Sequence, residues 1–271
     1  MSELLKRQYA PIPASAWKAI DEEAKRILEG HLSGRAVVDF SGPHGLDHAA
    51  ENTGRMSSPR QDARVRNASW SQRTVKPLIE VRVPFELDVN ELDGIDRGLL
   101  DPDLAPLQDA CRQISLFEEN VLYYGHKEAG IQGMLENSPH SAVVLSGKSE
   151  TFQDHVEAAL LKLQGEGVGG PYDLVLGTRS YSLLQRGDGR GYPLDKRVRN
   201  MIGGEILWSP ALEGGALVSQ RGGDFQMTAG QDLSVGYLSQ KGNRLTFFIV
   251  ETFTFMVMEP AAAAELTLKT K

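Results

Sequence analysis

Apolar residues recur at three- and four-residue steps over 14–33, where Trp17, Ile20, Ala24, Ile27, Leu28 and Leu32 mark one face of an amphipathic helix. Pro13 suits its first turn, Asp21 with Lys25 and Glu22 with Arg26 have i,i+4 spacing, and Gly34 is the expected stop. Over 41–77 neither the helical nor the strand period persists, and Gly, Ser, Pro and Arg are frequent. So long a loop is unusual inside a compact domain, so the segment is expected to leave its own subunit and be ordered by another. Alternation returns at 77–87, with Ile79, Val81, Val83 and Phe85 on one strand face. Over 104–124 a helical stripe of Leu107, Ala110, Cys111, Ile114, Phe117, Val121 and Leu122 runs up to Gly125.

Between 141 and 224 the pattern shortens to alternating elements. Helices are expected at 151–164, 179–185 and 194–201, and strands at 173–176, 205–208 and 216–219, together a compact α/β insertion. A glycine-rich loop, RGDGRGYP (186–193), separates the second and third helices. The run NRLTFFIVETFTFMVME (243–259) is expected to be a long strand, apolar on both faces in its first half and with one solvent-facing side later. The tail AAAAELTLKTK is expected to fray.

Composition narrows the possibilities. With 271 residues, 41% of them hydrophobic, the chain can bury one sizeable core or two smaller ones. Its one cysteine, Cys111, excludes an intrachain disulfide, and no CxxC pair is present. Neither the opening MSELLKRQYAPIP nor any later run has the apolar length of a signal or membrane-spanning segment, so a soluble cytoplasmic protein is expected. A net charge of −7 argues against a surface devoted to nucleic acid. A local basic segment remains: Arg55, Arg60, Arg64, Arg66, Arg73 and Lys76 face only Glu51 and Asp62, with Trp70 among them. Single-stranded nucleic acid normally needs several stacking aromatics, so an arm lying on an acidic neighbour fits better.

The constellations of common enzymes are missing. GKS at 147–149 has Ala142 where a P-loop needs its first glycine, and GEGVGG at 165–170 follows a helix where a dinucleotide fingerprint would follow a strand. His44 and His48 have no third metal ligand nearby, His126, His140 and His155 are scattered, and no metal is expected. Glu91, Asp93 and Asp96, and Glu118 with Glu119, are expected on solvated faces rather than in acid/base chemistry. Cys111 on its apolar stripe is expected to be a buried, inert thiol. Arg186-Gly187-Asp188 reads as loop composition, and there is no GxSxG elbow.

The order of pieces, from amphipathic helix and basic arm through strand, spine helix and α/β insertion to a return strand, resembles the α+β major capsid protein fold of tailed bacteriophages. The strings GRAVVDFSGPHG (34–45), ELDGIDRG (91–98), GGPYDLVL (169–176), RGGDF (221–225), GQDLSVGY (230–237) and ETFTF (251–255) resemble encapsulin shell proteins across nearly the whole chain. The resemblance divides the chain into an N-terminal arm and docking helix (1–48), an E-loop (49–76), a P-domain with its spine helix (77–140), an A-domain (141–224) and a return to the P-domain with a tail (225–271). It implies a non-enzymatic, self-assembling icosahedral nanocompartment, as a homo-oligomeric 60-mer, with pores at its symmetry axes. The cargo would be an enzyme such as a ferritin-like iron-storage protein or a dye-decolorising peroxidase, held by a short C-terminal targeting peptide. No membrane or nucleic acid partner is implied.

By the same resemblance, Ile27, Leu28, Leu32, Val37, Leu233, Val235 and Tyr237 line the cargo groove, and Arg35, Asp39 and Asp232 fix the peptide. The competing reading makes the aliphatic residues simple core and pairs Arg35 with Asp39. Arg35→Glu is expected to leave shells intact but empty them of cargo. Arg186, Gly187, Asp188, Gly189, Arg190, Gly191, Tyr192 and Pro193 would form a pore rim at the five-fold axis, net basic and favouring small anions. The E-loop, reaching across to a neighbouring copy, would carry Arg55, Arg60, Arg64, Arg66, Trp70 and Arg73. Some encapsulins hold a flavin against an aromatic near the ELDG stretch; Val89 and Asn90 precede Glu91 here, so no flavin cofactor is expected. The alternatives are a prophage or viral capsid protein packaging nucleic acid, and a hydrolase.

Overall fold

The computed structural model describes residues 3–187 and 191–269. Past Pro13 the first amphipathic stripe becomes α1 (Ala14–Glu29), which buries Ala16, Ile20, Ala24, Ile27 and Leu28. The helix stops at Gly30 rather than Gly34. Gly34 lies within the short α2 (Ser33–Ala36), where an added Cβ would meet Leu122 Cδ1 at 2.6 Å. The charged face of α1 also pairs differently from its spacing: Asp21 takes Arg7 at 2.6 Å, Glu22 takes Lys18, Glu29 takes Lys25, and Glu23 takes Arg26. Arg7, 3.9 Å above the ring of Trp17, ties the N-terminal residues to the helix.

After β1 (Asp39–Ser41) the segment without periodicity is a ribbon. β2 (Ala50–Met56) pairs antiparallel with β5 (Arg73–Pro77), and between them β3 (Arg60–Gln61) pairs with β4 (Ser69–Trp70). Most of its side chains are exposed because it has no second layer to pack on. β6 (Ile79–Asp88) follows, and leads directly into α3 (Val89–Asp96), a helix the periodicity did not predict; Asp88 caps it by accepting from Asn90 N at 2.8 Å. The spine helix is α4 (Ala105–Tyr124), closed by Gly125 at φ 78°.

The next units are β7 (Val143–Leu145), α5 (Phe152–Gly165), β8 (Tyr172–Leu176), α6 (Thr178–Arg186), α7 (Leu194–Ile202), β9 (Gly203–Trp208) and β10 (Gly215–Ser219). The chain ends through β11 (Phe225–Ala229), β12 (Ser234–Lys241), β13 (Arg244–Val257) and β14 (Ala263–Leu268). One sheet is organised on β13, which holds β6 along one edge and β12 then β11 along the other, with β1 added parallel to β11. The other has the order β7-β14-β10-β8-β9. The tail expected to fray therefore supplies an interior strand, and the line drawn between 224 and 225 does not hold for 263–268. Ala263 and Ala264 lie flat against β10, Leu266–Leu268 add the pairing to β7, and Ala262, Ala263 and Ala264 are fully buried.

Among the described residues two large apolar cores result, beside a small cluster of Leu5, Phe248 and Val250. One gathers α1, α3, the first half of α4 and the faces of β6, β12 and β13; the other surrounds the second sheet and takes Val121, Leu122 and Tyr123 from the end of α4. The spine helix thus spans both. The second half of β13 does not turn a side to solvent as its alternation suggests: Glu251, Thr252 and Thr254 are buried.

Candidate functional site

A cavity of about 320 Å³ opens between α1 and the start of β12. Its apolar wall is Leu28, Leu32, Leu233 and Val235, its floor Arg35 and Asp232, and its rim carries Arg7, Asp21, Lys25 and Glu29. Leu28 comes from the last turn of α1 and Leu32 from the turn that follows it, while Leu233 just before β12 and Val235 within it line the cavity from the other side. Six of the ten residues expected to bind a peptide meet here. Ile27 is buried in the core behind the wall, and Tyr237 packs edge-on against Phe247, ring centroids 6.0 Å apart, outside the cavity. Val37 and Asp39 are elsewhere: Val37 belongs to the other core, and Asp39 accepts from Gly223 N at 2.6 Å beside β11. These two side chains follow the turn after α2, which carries the chain away from the groove.

Arg35 neither pairs with Asp39 nor stands free for a ligand. Its Nε and Nη2 donate to both oxygens of Glu118 at 2.7–3.1 Å, Nη2 also donates to Glu251 at 2.5 Å, and Nη1 donates to Asp232 at 2.8 Å. Glu118 and Glu251 are fully buried, which corrects the expectation that Glu118 and Glu119 face solvent. Burial pushes the Glu251 carboxyl well above the usual range, and the neighbouring Glu118 charge pushes it further. Burial works against the Arg35 charge, but the hydrogen bonds and charge of Glu118, with Glu251 and Asp232, outweigh it and hold the guanidinium protonated. One cation thus holds two buried carboxyls and presents the more exposed Asp232 to the groove. Removing that cation leaves charge buried, so Arg35→Glu is expected to destabilise the protomer itself as well as alter the groove.

The next residue along α4 makes a second polar knot. Glu119 accepts from Ser33 Oγ, from Gly34 N at 2.5 Å and from Ser209 Oγ at 2.8 Å, while Ser33 Oγ also lies 2.9 Å from the Tyr123 hydroxyl. Burial raises the Glu119 pKa to about 7 against those three donors. Both carboxyls occupy the stretch of α4 between its two apolar clusters, so the seam between the cores is polar and hydrogen-bonded. Sequence reasoning missed Glu118, Glu119, Glu251, Ser33 and Ser209. The available signal was that 118 falls four residues from both Ile114 and Leu122 of the apolar stripe.

The remaining expected sites are surface features. Arg186 ends α6, Gly187 caps it at φ 67°, Tyr192 is exposed and Pro193 precedes α7. Asp188, Gly189 and Arg190 lie outside the described residues. On the ribbon, Arg55, Arg60, Arg64, Arg66 and Arg73 are exposed and, among the described residues, in no ion pair; Arg60 sits over the Trp70 ring at 5.5 Å. The rings of His44 and His48 lie 4.9 Å apart, tilted by 41°, with Glu51 3.4 Å from His48 Nε2. Among the described residues no three such ligands gather around a metal position. Cys111 is buried, which pushes its thiol up to about 12.

Residues 1–254 match the family described as encapsulating protein for peroxidase. The chain is 37% identical to the type 1 encapsulin shell protein of Brevibacterium linens, over 97% of this chain and 99% of that one. To its counterpart in Mycobacterium tuberculosis it is 33% identical, over 97% and 98%. In structure it resembles a virus-like particle from Pyrococcus furiosus, with TM-score 0.65 and 14% identity over 93% of this chain and 98% of the other. It also resembles a protein of Gordonia phage Cozz, with TM-score 0.58 and 11% identity over 89% and 87%. The last two establish the α+β capsid fold.

Proposed function

This chain belongs to the encapsulin shell-protein family, and on that premise we propose that the groove between α1 and β12 holds the C-terminal targeting peptide of an enclosed enzyme. The role is structural, since the curated relatives are named as shell proteins. The capsid fold is common to encapsulins and phage capsids, and the family match over most of the chain decides between them. Among the described residues no helix is long and apolar enough to cross a membrane. In the proposed assembly sixty copies close into an icosahedral shell in the cytoplasm, the exposed ribbon lies on a neighbouring copy, and 186–193 rims a pore that admits small anions. The cargo is a peroxidase or a ferritin-like protein. No flavin is proposed, because Val89 and Asn90 form the first turn of α3 where an aromatic would be needed.

The groove itself carries this reading: a cavity with apolar walls and a floor whose one cation is already neutralised suits an extended apolar peptide better than a charged one. The test is to replace Leu32 and Leu233 together by serine, producing the shell with a fluorescent guest that bears a targeting peptide. Particles of unchanged diameter should then carry about tenfold less guest. Guest recovered at the level of the unaltered shell would overturn the assignment.

A further inference from the structure

The GKS string, set aside as a P-loop, lies between β7 and α5 at the edge of a basin of about 800 Å³. Ser146 and Gly147 form one wall. Thr178, Arg179, Ser182 and Arg186 of α6 form another, and Lys269 beyond β14 closes it. Arg179, Ser182 and Arg186 follow at steps of three and four, so α6 turns one face of cations and hydroxyl to the basin. Lys269 N donates to Leu145 O at 3.1 Å, which fixes that residue beside the mouth of the Ser146 loop. None of the residues lining the basin is Asp or Glu, although the whole chain carries 36 acidic against 29 basic residues. Among the described residues Arg179, Arg186 and Lys269 enter no ion pair. Thr178 Oγ1 accepts from Trp208 Nε1 at 3.1 Å and so keeps its own hydrogen to donate.

We propose that this basin binds a small multivalent oxyanion, a pyrophosphate or short inorganic polyphosphate, through Arg179, Arg186 and Lys269. Guanidinium and ammonium groups lining one cavity without carboxylates match clustered phosphate oxygens. The N-terminal N–H groups of α6, where Gly177 offers no side-chain cap, add donors of the same sense. The lining has no aromatic side chain, only Leu183 and Leu268 as apolar surface, so nothing there would stack on a nucleobase and the phosphates alone are recognised. The site is separate from the groove and from the ribbon, and does not depend on what either binds. A bound anion would also neutralise Arg186 at the root of the loop that follows α6.

Calorimetric titration of inorganic pyrophosphate into assembled, cargo-free particles tests the proposal. The expected result is saturable binding weakened at least about tenfold by Arg179→Ala and by Lys269→Ala, retained by Arg179→Lys, and unaffected by Lys18→Ala, which removes an equal charge from the exposed face of α1. Light scattering on the same samples checks that the particles are intact. Absence of binding to the unaltered protein, equal weakening by all three alanine variants, or binding of single-stranded RNA without pyrophosphate would each overturn it.

Discussion

Glu119 on the spine helix and Ser209 beyond β9 are joined by a buried 2.8 Å hydrogen bond that crosses the seam between the two cores. The carboxyl is held near pH 7 in the folded chain against an ordinary value of 4.5, raised by burial. The groups facing it are Glu118 and Tyr123 on α4, and Ser33 and Gly34 from α2, with Arg35 beyond them on Glu118. Because the folded state holds the proton more tightly than the unfolded one, the stability it contributes is fully present below about pH 4.5 and is lost as pH rises through about 7. The shift corresponds to about 3 kcal/mol. Denaturation midpoints should therefore fall from about pH 5 to about pH 8 for the parent chain, and fall less for Glu119→Gln, which cannot ionise. Identical pH slopes in the two proteins would refute a titrating Glu119.

Arg35 carries a different expectation. Arg35→Met keeps the length of the side chain but leaves Glu118 buried without its cation, which should cost about 3–5 kcal/mol in chemical denaturation. Adding Glu118→Gln to the same chain should recover much of that loss, because the buried carboxylate left without its cation is then removed. If Arg35 served only to hold a cargo peptide, the single variant would unfold at the parent's denaturant concentration and lose guest alone.

The seam explains what was legible in the sequence and what was not. Elements whose burial follows one period, such as α1 with Ile20 and Leu28 or β6 with Phe85 and Leu87, could be read directly. Of the six groove residues, Arg35, Asp232, Leu233 and Val235 lie in family-like strings and Leu28 and Leu32 on the first apolar stripe, whereas Val37 and Asp39 point elsewhere because the chain leaves α2 after Ala36. Glu118, Glu119 and Glu251 were misread because a carboxylate is ordinarily solvated, and only partners distant in sequence, 33–35 and 209, make their burial tolerable. α3 escaped because eight residues give too few turns for a stripe to show.

The ribbon exposes Met56, Val65, Trp70 and Val75, with Trp70 at 47%. So much apolar surface on a two-stranded element has no partner within its own chain, which suits contact with another copy. Replacing Val65 and Trp70 by serine should leave the secondary structure of the protomer unchanged, with stability within about 1 kcal/mol, while native mass spectrometry shows smaller oligomers in place of closed particles. Closed particles in normal yield would mean that these side chains do not mediate assembly.

β14 separates a structural tail from a dispensable one. It sits between β7 and β10, pairing Leu266 with Gly215 on one side and with Val143 on the other, and Ala263, Ala264 and Leu266 are buried. Ending the chain after Ala262 would strip both neighbours of their ladder bonds and open the second core along an interior strand, exposing edges prone to pair with other chains. The truncated protein should be insoluble, or should show steep loss of amide protection in β7 and β10 by hydrogen exchange. A chain ending at Leu268 keeps the strand and should fold and assemble as the full length does. Soluble, normally protected protein lacking 263–271 would show that β14 contributes nothing to the sheet, against its position between β7 and β10.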